Sequence, residues 1–277
     1  MISYNEPLVM GIINLSKDSF YSESRCTTDE EFTKRFEHML KDGADIIDIG
    51  ACSTRPGLKS ISSEEEWELL KPALKRVLRD YPSSEISIDT FRSEIVERSY
   101  DFVGDFMVND ISSGEDDPDM LPMVAKFELP YIAMHKRGTP ETMQSMCNYK
   151  DVVEDIKDYF LKFIPKAEEI GIKSIIIDPG FGFAKNIDQN YELLMGLDKL
   201  KIPSGQNDVC YPILVGISRK SMIYRFLDIS TEDALTATTA LHLQALIHGA
   251  DILRVHDVKE AKQIIKIYRK ISGKRVS

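Results

Sequence analysis

The sequence predicts a single (β/α)₈ TIM barrel that occupies residues 1–277, and three observations support this fold class. Short apolar segments recur eight times, segments with helical periodicity separate them, and no Gly/Ser-rich linker divides the chain. A barrel of this kind typically needs ~250 residues. Apolar residues make up 43% of the chain, which is enough for a large core.

The eight apolar segments are the predicted strands. Each is nearly continuous in apolar character rather than alternating, which is typical of strands buried on both faces of a parallel sheet. They occupy residues 8–13, 45–49, 85–88, 106–108, 131–134, 174–177, 212–217 and 252–255.

Helical periodicity between the strands is clearest at residues 151–170 and 258–271, where apolar residues recur every three or four positions. Strands that alternate with helices indicate either a barrel or an open, doubly wound sheet. The open sheet normally has a glycine-rich turn after its first strand. Residues 14–20 contain no glycine. The barrel is therefore the preferred prediction and the open sheet the alternative.

Composition limits the class of partner and the compartment. The formal charge of −10 argues against nucleic acid or an anionic membrane as partner. No segment approaches the ~18 consecutive apolar residues of a membrane span, and residues 1–7 lack the layout of a signal peptide. Cys26, Cys52, Cys147 and Cys210 show no metal-ligand spacing. We therefore expect a cytoplasmic protein with reduced thiols.

Hydrogen-bonding side chains follow the C-terminal ends of nearly all predicted strands. They are Asn14, Asp89, Asn109, Asp110, His135, Asp178, Ser218, Arg219, Lys220, Arg254 and His256. In a barrel these ends meet at one rim, where the active site lies. A single Asp or Asn at such a place could equally be a helix cap or a turn residue. Capping alone does not explain polar residues at seven of eight ends.

A series of motifs at these strand ends resembles, in order, the motifs of the dihydropteroate synthase family. They are MGIIN at 10–14 with DSF at 18–20, GADIIDIG at 43–50 with STRPG at 53–57, SIDT at 87–90, VNDIS at 108–112, MH at 134–135 with RGTP at 137–140, IDPGFGF at 177–183, GISRKS at 216–221 and RVHD at 254–257. The resemblance covers nearly the whole chain. It implies a transferase of folate synthesis that joins a dihydropterin methyl diphosphate to p-aminobenzoate.

The resemblance also implies the substrate-binding residues. It assigns the pterin diphosphate to Thr54, Asp89, Asn109, Met134, Asp178, Lys220, Arg254 and His256. A buried carboxylate such as Asp178 suits the paired N–H donors of a pterin edge, and polar groups matched to a ligand also exclude its analogues. The plain alternatives are a simple turn at Asp178 and a solvated lysine at Lys220.

The diphosphate end of the substrate needs cations. Arg254 and His256 lie two residues apart on the last strand, so their side chains face the same way and could clamp an anion. A core histidine is the alternative for His256. The resemblance implies that Asn14 contacts a Mg²⁺ cofactor, which commonly binds few protein ligands together with substrate phosphates. It assigns catalysis to Arg55, Asp89, Lys220, Arg254 and His256.

For p-aminobenzoate, the resemblance implies a slot formed by Phe20, Thr54, Arg55, Pro56, Phe183, Lys220 and Ser221. We expect the loops at 18–24 and 53–59 to be mobile and to close over the diphosphate. The resemblance also implies a homodimer formed through helices near the C-terminus. The role of His135 is left open.

Two loop segments depart from the family pattern. Residues 15–17 read Leu-Ser-Lys where Val-Thr-Pro is usual, and residues 51–53 read Ala-Cys-Ser where Gly-Glu-Ser is usual. These departures bear on p-aminobenzoate and its sulfonamide mimics. Cys52 has no neighbouring base in the sequence, which argues against a nucleophile. Two other functions stay open: a pterin-dependent methyltransferase domain and a catalytically idle pterin-binding module. The STRPG and SRKS segments favour the synthase.

Overall fold

The computed structural model describes residues 6–16, 28–52, 61–139, 141–205 and 209–273. Within these residues, parallel strands alternate with helices along the chain. The strands are β1 (Leu8–Asn14), β2 (Ile46–Gly50), β3 (Ile86–Asp89), β4 (Met107–Asp110), β5 (Tyr131–Met134), β6 (Ile175–Asp178), β7 (Leu214–Val215) and β8 (Ile252–Val255). The helices are α1 (Asp29–Asp42), α2 (Ser63–Asp80), α3 (Ser93–Val103), α4 (Met120–Lys126), α5 (Val152–Ile170), α6 (Ile187–Met195), α7 (Ser221–Leu227), α8 (Leu235–Ile247) and α9 (Val258–Ile271).

The strands close into a barrel. They pair in the order β6-β5-β4-β3-β2-β1-β8-β7, and every pair is parallel. A parallel bridge between Ile177 and Ile213 joins β6 to β7, where the Ile177 N–H donates to the Pro212 carbonyl at 2.9 Å. The predicted barrel is therefore confirmed, and the open-sheet alternative is wrong.

Seven of the eight predicted strands agree with the structure in length to within one residue, but the strand predicted at residues 212–217 does not. Residues 212–217 were predicted as a strand, whereas β7 has only two residues. The Ile213 carbonyl accepts from both Asp251 N (2.9 Å) and Ile252 N (3.1 Å), which interrupts the regular ladder with β8. At the other end the chain turns, because Lys220 N donates back to the Ile217 carbonyl at 3.1 Å. In residues 212–217 the apolar content predicts that the side chains are buried, but it does not predict which residues form hydrogen bonds between strands.

The two predicted helices agree with the structure, and a capping residue fixes the start of the first of them. Asp151 accepts from the backbone N–H groups of Val153 and Glu154 and so begins α5, as expected for an N-cap carboxylate. The apolar stripe predicted at 258–271 is α9. No helix in the described ranges is both long and apolar enough to cross a membrane.

Side chains inside the barrel change character along its axis. One apolar cluster fills the lower interior and consists of Met10, Ile46, Met107, Ile132, Ile176, Leu214 and Ile252, with Leu8 packed against it. Because side chains on a strand alternate between faces, the residue two positions later points inward again. On β2, β4, β6 and β8 that next residue is Asp48, Asn109, Asp178 and Arg254. The barrel thus has an apolar floor with a polar layer above it.

Candidate active site

Arg254 is the centre of the polar layer. Its Nε donates to Asp48 Oδ2 at 2.7 Å, and its Nη2 donates to Asp89 Oδ2 at 2.7 Å. Asn109 Nδ2 donates to the same Asp48 oxygen at 3.1 Å. Strand register makes this possible, since Gly50 pairs with Asp89 and Asp89 pairs with Asn109 across β2, β3 and β4. One cation therefore joins carboxylates from two strands.

Burial and neighbouring charges shift the pKa of each of Asp89 and Arg254 in opposite directions. Burial raises the pKa of Asp89, and the positive charge of Arg254 offsets part of that effect. For Arg254, burial acts to lower the pKa, but the charges of Asp48 and Asp89 outweigh it and the pKa is raised. Arg254 is consequently always protonated. The second oxygen of Asp48, Oδ1, is buried and accepts no hydrogen bond from the residues that the structure describes.

A second group, Asp178 with Lys220, lies within electrostatic range of the first. Asp178 Oδ1 accepts from Gly180 N at 2.8 Å. Lys220 Nζ donates to the Phe181 carbonyl at 2.5 Å and lies 5.1 Å from the centre of the Phe183 ring. Burial raises the pKa of Asp178, opposed by Lys220. Burial lowers the pKa of Lys220 to about 8, opposed by Asp178.

Gly216, just after β7, leaves space between the two groups. A Cβ placed there would lie 3.9 Å from Lys220 Nζ and 3.9 Å from Arg254 Cβ. Any larger side chain would extend between these two cations. Glycine leaves this side of the polar layer without a side chain, which suits a flat ligand.

His256 is held in one orientation by Ser218. The Ser218 hydroxyl accepts from the His256 backbone N–H at 3.2 Å and lies 3.0 Å from His256 Nδ1. Donation of the hydroxyl proton to Nδ1 would place the ring proton on Nε2. Burial, reinforced by the charge of Arg254, lowers the pKa of His256 to about 3. His256 therefore offers a neutral donor rather than a positive charge.

Asn14 is the last residue of β1 and pairs with Gly50 on β2. Within the described residues, no group of three or more His, Cys, Asp or Glu side chains could hold a metal ion. The amide oxygen of Asn14 nevertheless fits Mg²⁺, which often binds one or two protein oxygens, several waters and substrate phosphates. The donor set suits an ion that arrives with a diphosphate.

The remaining predicted residues divide into two sets. Met134 is buried at the end of β5 beside Asp178, and Ser221 begins α7 directly after Lys220. Phe183 lies against Lys220. The structure therefore brings the described members of the predicted set to one mouth of the barrel. Phe20, Thr54, Arg55 and Pro56, with the loops at 18–24 and 53–59, lie outside the described residues.

Cys52, the departure from the family pattern, contacts Arg92. Arg92 Nη1 lies 3.2 Å from the Cys52 sulfur and also pairs with Glu66, while its Nη2 donates to the Ile61 carbonyl at 2.5 Å. Burial, together with the charge of Glu66, raises the pKa of the Cys52 thiol. A protonated thiol is a poor nucleophile, in agreement with the expectation from the sequence.

Three residues that shape the site were not singled out by sequence reasoning. Asp48 could have been predicted to face the barrel interior, because it lies two residues after the inward-facing Ile46. Ser218 was noted only as a polar strand end, and its bond to His256 joins residues 38 positions apart. Lys185 gave no signal, since a lysine in a loop is usually solvated.

A separate cavity of about 750 Å³ lies beside the barrel, between the segments after β4 and β5 and helix α5. His135, Lys136, Arg137 and Tyr159 are among its lining residues. None of the residues predicted to bind substrate lines it. Those predicted substrate-binding residues that the structure describes instead meet at the mouth of the barrel, which is the candidate site.

Gly180 is expected to be intolerant of a side chain. Its φ is +72°, and a Cβ there would lie 2.0 Å from the His135 carbonyl oxygen. Gly205 has the same φ of +72°, and no atom of the described residues lies within 4 Å of a Cβ there. We expect Gly205→Ala to cost ~1–2 kcal/mol, the backbone strain alone. Gly180→Ala should cost about 1–3 kcal/mol more from overpacking. Equal losses in urea unfolding would contradict the close contact.

A closed parallel barrel with a polar layer at its C-terminal mouth defines the class of a barrel enzyme. Comparison with known proteins specifies the family. The sequence model of the family described as "Pterin binding enzyme" matches residues 10–256. The dihydropteroate synthase of Escherichia coli K12 is 36% identical over 268 residues, covering 96% of this chain and 92% of that protein. The mitochondrial folate synthesis bifunctional protein of Arabidopsis thaliana is 40% identical over 278 residues.

The chain covers 49% of the length of that Arabidopsis protein, and 95% of this chain is aligned. Comparison with solved structures leads to the same family. The Yersinia pestis dihydropteroate synthase in a sulfonamide drug complex has a TM-score of 0.90 at 33% identity, covering 98% of this chain and 96% of that one. The Burkholderia cenocepacia dihydropteroate synthase complexed with 7,8-dihydropteroate has a TM-score of 0.85 at 31% identity, covering 98% and 94%. The chain belongs to the pterin-binding enzyme family, among the dihydropteroate synthases.

Proposed function

We propose that this protein condenses (7,8-dihydropterin-6-yl)methyl diphosphate with p-aminobenzoate to give 7,8-dihydropteroate and diphosphate. The observation that carries the proposal is that Asp178 and Lys220, which act electrostatically on each other, lie beside the Asp48–Arg254–Asp89 group at one barrel mouth. Membership of the family supports it, as does the dihydropteroate bound by the Burkholderia relative.

The pterin ring would lie on the polar layer. Its N–H and NH₂ edge presents paired donors, which match the carboxylate of Asp178, while Asn109 and Asp89 meet other ring positions. Lys220 would donate to the ring carbonyl or the N5 side. These groups are buried and already held by protein contacts, so little reorganisation is needed when the ligand binds. Met134 packs at the edge of the ring.

The chemistry requires little proton transfer. The bond between the methylene carbon and the diphosphate oxygen breaks, and both electrons leave with the diphosphate. The arylamine lone pair then forms the carbon–nitrogen bond, and the nitrogen releases one proton. Before that attack, positive charge develops on the pterin. Among the described pocket residues, three carboxylates (Asp48, Asp89, Asp178) face two cations (Lys220, Arg254), which stabilises a cationic ring.

The diphosphate would lie toward the ends of β1 and β8. His256 would donate from its Nε2, and Arg254 would contribute its positive charge. The predicted Thr54 and Arg55 would hold the departing group. Asn14 would hold a Mg²⁺ ion carried by the diphosphate, and the ion would offset the charge of the leaving oxygens. The arylamine would occupy the slot assigned to Phe20, Pro56, Phe183 and Ser221, beside Lys220.

An assay of diphosphate release tests the proposal. Purified protein is mixed with the pterin diphosphate and Mg²⁺, with or without p-aminobenzoate. Release that depends on p-aminobenzoate, together with formation of dihydropteroate, is the expected result. Binding of the pterin without release would support the idle binding module. Methyl transfer from a methylated folate to a corrinoid would support the methyltransferase domain.

Lys220 should limit activity at alkaline pH. Burial lowers its pKa to about 8, so the ammonium loses its charge as the pH rises through that value and donates more weakly to the pterin. We expect kcat/KM for the pterin diphosphate to fall above pH 8, by about tenfold per pH unit. Lys220→Arg stays charged, so its remaining activity should lack this fall. A wild-type profile that is flat to pH 10 would contradict the assignment.

We also propose a homodimer formed through α6, α7 and α8. These helices pack together and expose Met195 (54%), Phe226 (62%), Leu227 (45%) and Ile247 (50%). Clusters of exposed apolar side chains commonly mark interaction sites. We expect Phe226→Asp to convert a dimer into a monomer in sedimentation, while Leu161→Asp on α5 leaves the dimer intact. A dimer in both variants would contradict this surface.

We place the protein in the cytoplasm. Its cysteines support this proposal, since Cys52, Cys147 and Cys210 form no disulfide among the described residues. A reducing compartment suits them.

A further inference from the structure

Lys185 is a buried lysine that the proposed chemistry does not use. Burial lowers its pKa to about 7, opposed by the charge of Asp178. Lys185 is 3% exposed and lies between Phe183 and the N-cap of α6. Its Nζ contacts His135 Nδ1 at 3.2 Å, the Gly180 carbonyl at 2.9 Å and the Phe183 carbonyl at 3.0 Å. Burial of an ammonium is costly unless its donors are satisfied. All three donors of Lys185 have an acceptor here.

The three acceptors come from two different parts of the barrel. His135 follows β5, whereas Gly180 and Phe183 belong to the segment 179–184 that follows β6. Asn190 on α6 ties the same segment from outside, because its Oδ1 accepts from Gly182 N at 2.7 Å and its Nδ2 donates to the Lys185 carbonyl at 3.2 Å. The segment is therefore folded around the Lys185 ammonium.

This segment contacts Lys220 directly. The Phe181 carbonyl accepts from Lys220 Nζ, and the Phe183 ring lies beside that ammonium. Asp178 precedes the segment and is fixed by Gly180 N. Any shift of residues 180–183 would therefore move the Phe181 carbonyl and the Phe183 ring, which both contact Lys220. Lys185 itself touches none of the described residues assigned to substrate except through the Phe183 backbone.

We propose that Lys185 is a positioning residue for the arylamine subsite: it holds segment 179–184 against the end of β5, so that Phe181 and Phe183 set the place of the Lys220 ammonium. This inference rests on the proposed function. It also gives His135 a role, that of the ring acceptor which anchors Lys185 to β5. His135 suits this role because burial and the charge of Lys185 lower its pKa to about 2, which keeps the ring neutral.

The test compares Lys185→Met with Lys173→Met, a change at an exposed ion pair with Glu128. For Lys185→Met we expect KM for p-aminobenzoate to rise about tenfold or more, which corresponds to ~1.4 kcal/mol of binding, because Phe183 and the Lys220 ammonium would shift. We also expect the alkaline fall of kcat/KM, which reports on Lys220, to move. Lys173→Met should leave both unchanged. A folded Lys185→Met protein with KM and pH profile within twofold of wild type would overturn the inference.

A second pair of variants decides the question if Lys185→Met does not fold. His135→Asn retains an acceptor close to the position of Nδ1, whereas His135→Leu has none. We expect KM for p-aminobenzoate to rise in His135→Leu and to stay near the wild-type value in His135→Asn. The same KM in both variants would overturn the inference. Absence of diphosphate release by the wild-type protein would instead refute the proposed function, so the two failures are distinguishable.

Discussion

Asp178→Asn should lower kcat/KM for the pterin diphosphate by at least about 100-fold. The carboxylate matches two adjacent donors of the pterin edge, and an amide can accept only one of them while its NH₂ group opposes the other. Each charge-assisted hydrogen bond contributes ~1.5–3 kcal/mol, and every ~1.4 kcal/mol corresponds to a factor of ten. The loss should appear in steady-state kinetics and in direct binding of the pterin.

Asp188→Asn is the matched control, since Asp188 is exposed at the start of α6, ten residues further on. It should retain wild-type kinetics. Because the amide oxygen introduced by Asp178→Asn can still accept from Gly180 N, the thermal midpoint of that variant should stay close to that of the wild type. An Asp178→Asn enzyme with normal pterin affinity would refute the assignment of Asp178 to the pterin edge.

Arg254→Met should affect both stability and activity. It removes the cation that joins Asp48 and Asp89 and leaves two buried carboxylates close together. Loss of one partner from a buried ion pair typically costs ~3–5 kcal/mol, and we expect the free energy of unfolding to fall by that amount at pH 8. We also expect activity to fall at least 100-fold, since the positive charge that we propose lies near the diphosphate is lost. Chemical denaturation and the diphosphate assay measure the two effects.

The stability loss of Arg254→Met should shrink as the pH falls. Burial already raises the pKa of Asp89, and loss of Arg254 removes the effect that opposes it. A carboxyl whose pKa is higher in the folded than in the unfolded protein destabilises the fold as the pH rises through that interval. Toward pH 5 the carboxyl takes up a proton and the penalty decreases. Arg79→Met, at an exposed ion pair with Asp80, should lose little stability at either pH.

Much of the fold could be predicted because the strands have a simple sequence signal. Both of their faces are buried, so the strands β1, β5 and β6 appear as nearly continuous apolar segments. Helix starts such as that of α5 carry a capping residue at a fixed offset. β7 was predicted too long because the apolar character of residues 212–217 reports their burial, which is real, and does not report ladder hydrogen bonds.

The members of the candidate site were easier to predict than their contacts. Inward-facing polar residues at strand ends pointed to one mouth, and Asp89, Asn109, Asp178 and Lys220 meet there. The pairing of Arg254 with Asp48 joins residues 206 positions apart, and strand alternation alone does not choose the partner. Arg254 was expected to clamp an anion, and the structure adds two carboxylates to that environment. The loss of activity expected for Arg254→Met tests its predicted contact with diphosphate.

The apolar floor of the barrel affects the order in which ligands can bind and dissociate. Among the residues that the structure describes, Met10, Met107 and their neighbours fill the lower end of the barrel, so a ligand would reach the polar layer from the C-terminal mouth. The ligand that binds deepest must enter before a ligand that binds nearer the rim, and it must dissociate after that ligand. An inhibitor bound near the rim would block dissociation of a ligand bound beneath it. We expect the inhibitor itself to bind more tightly when the deeper position is occupied.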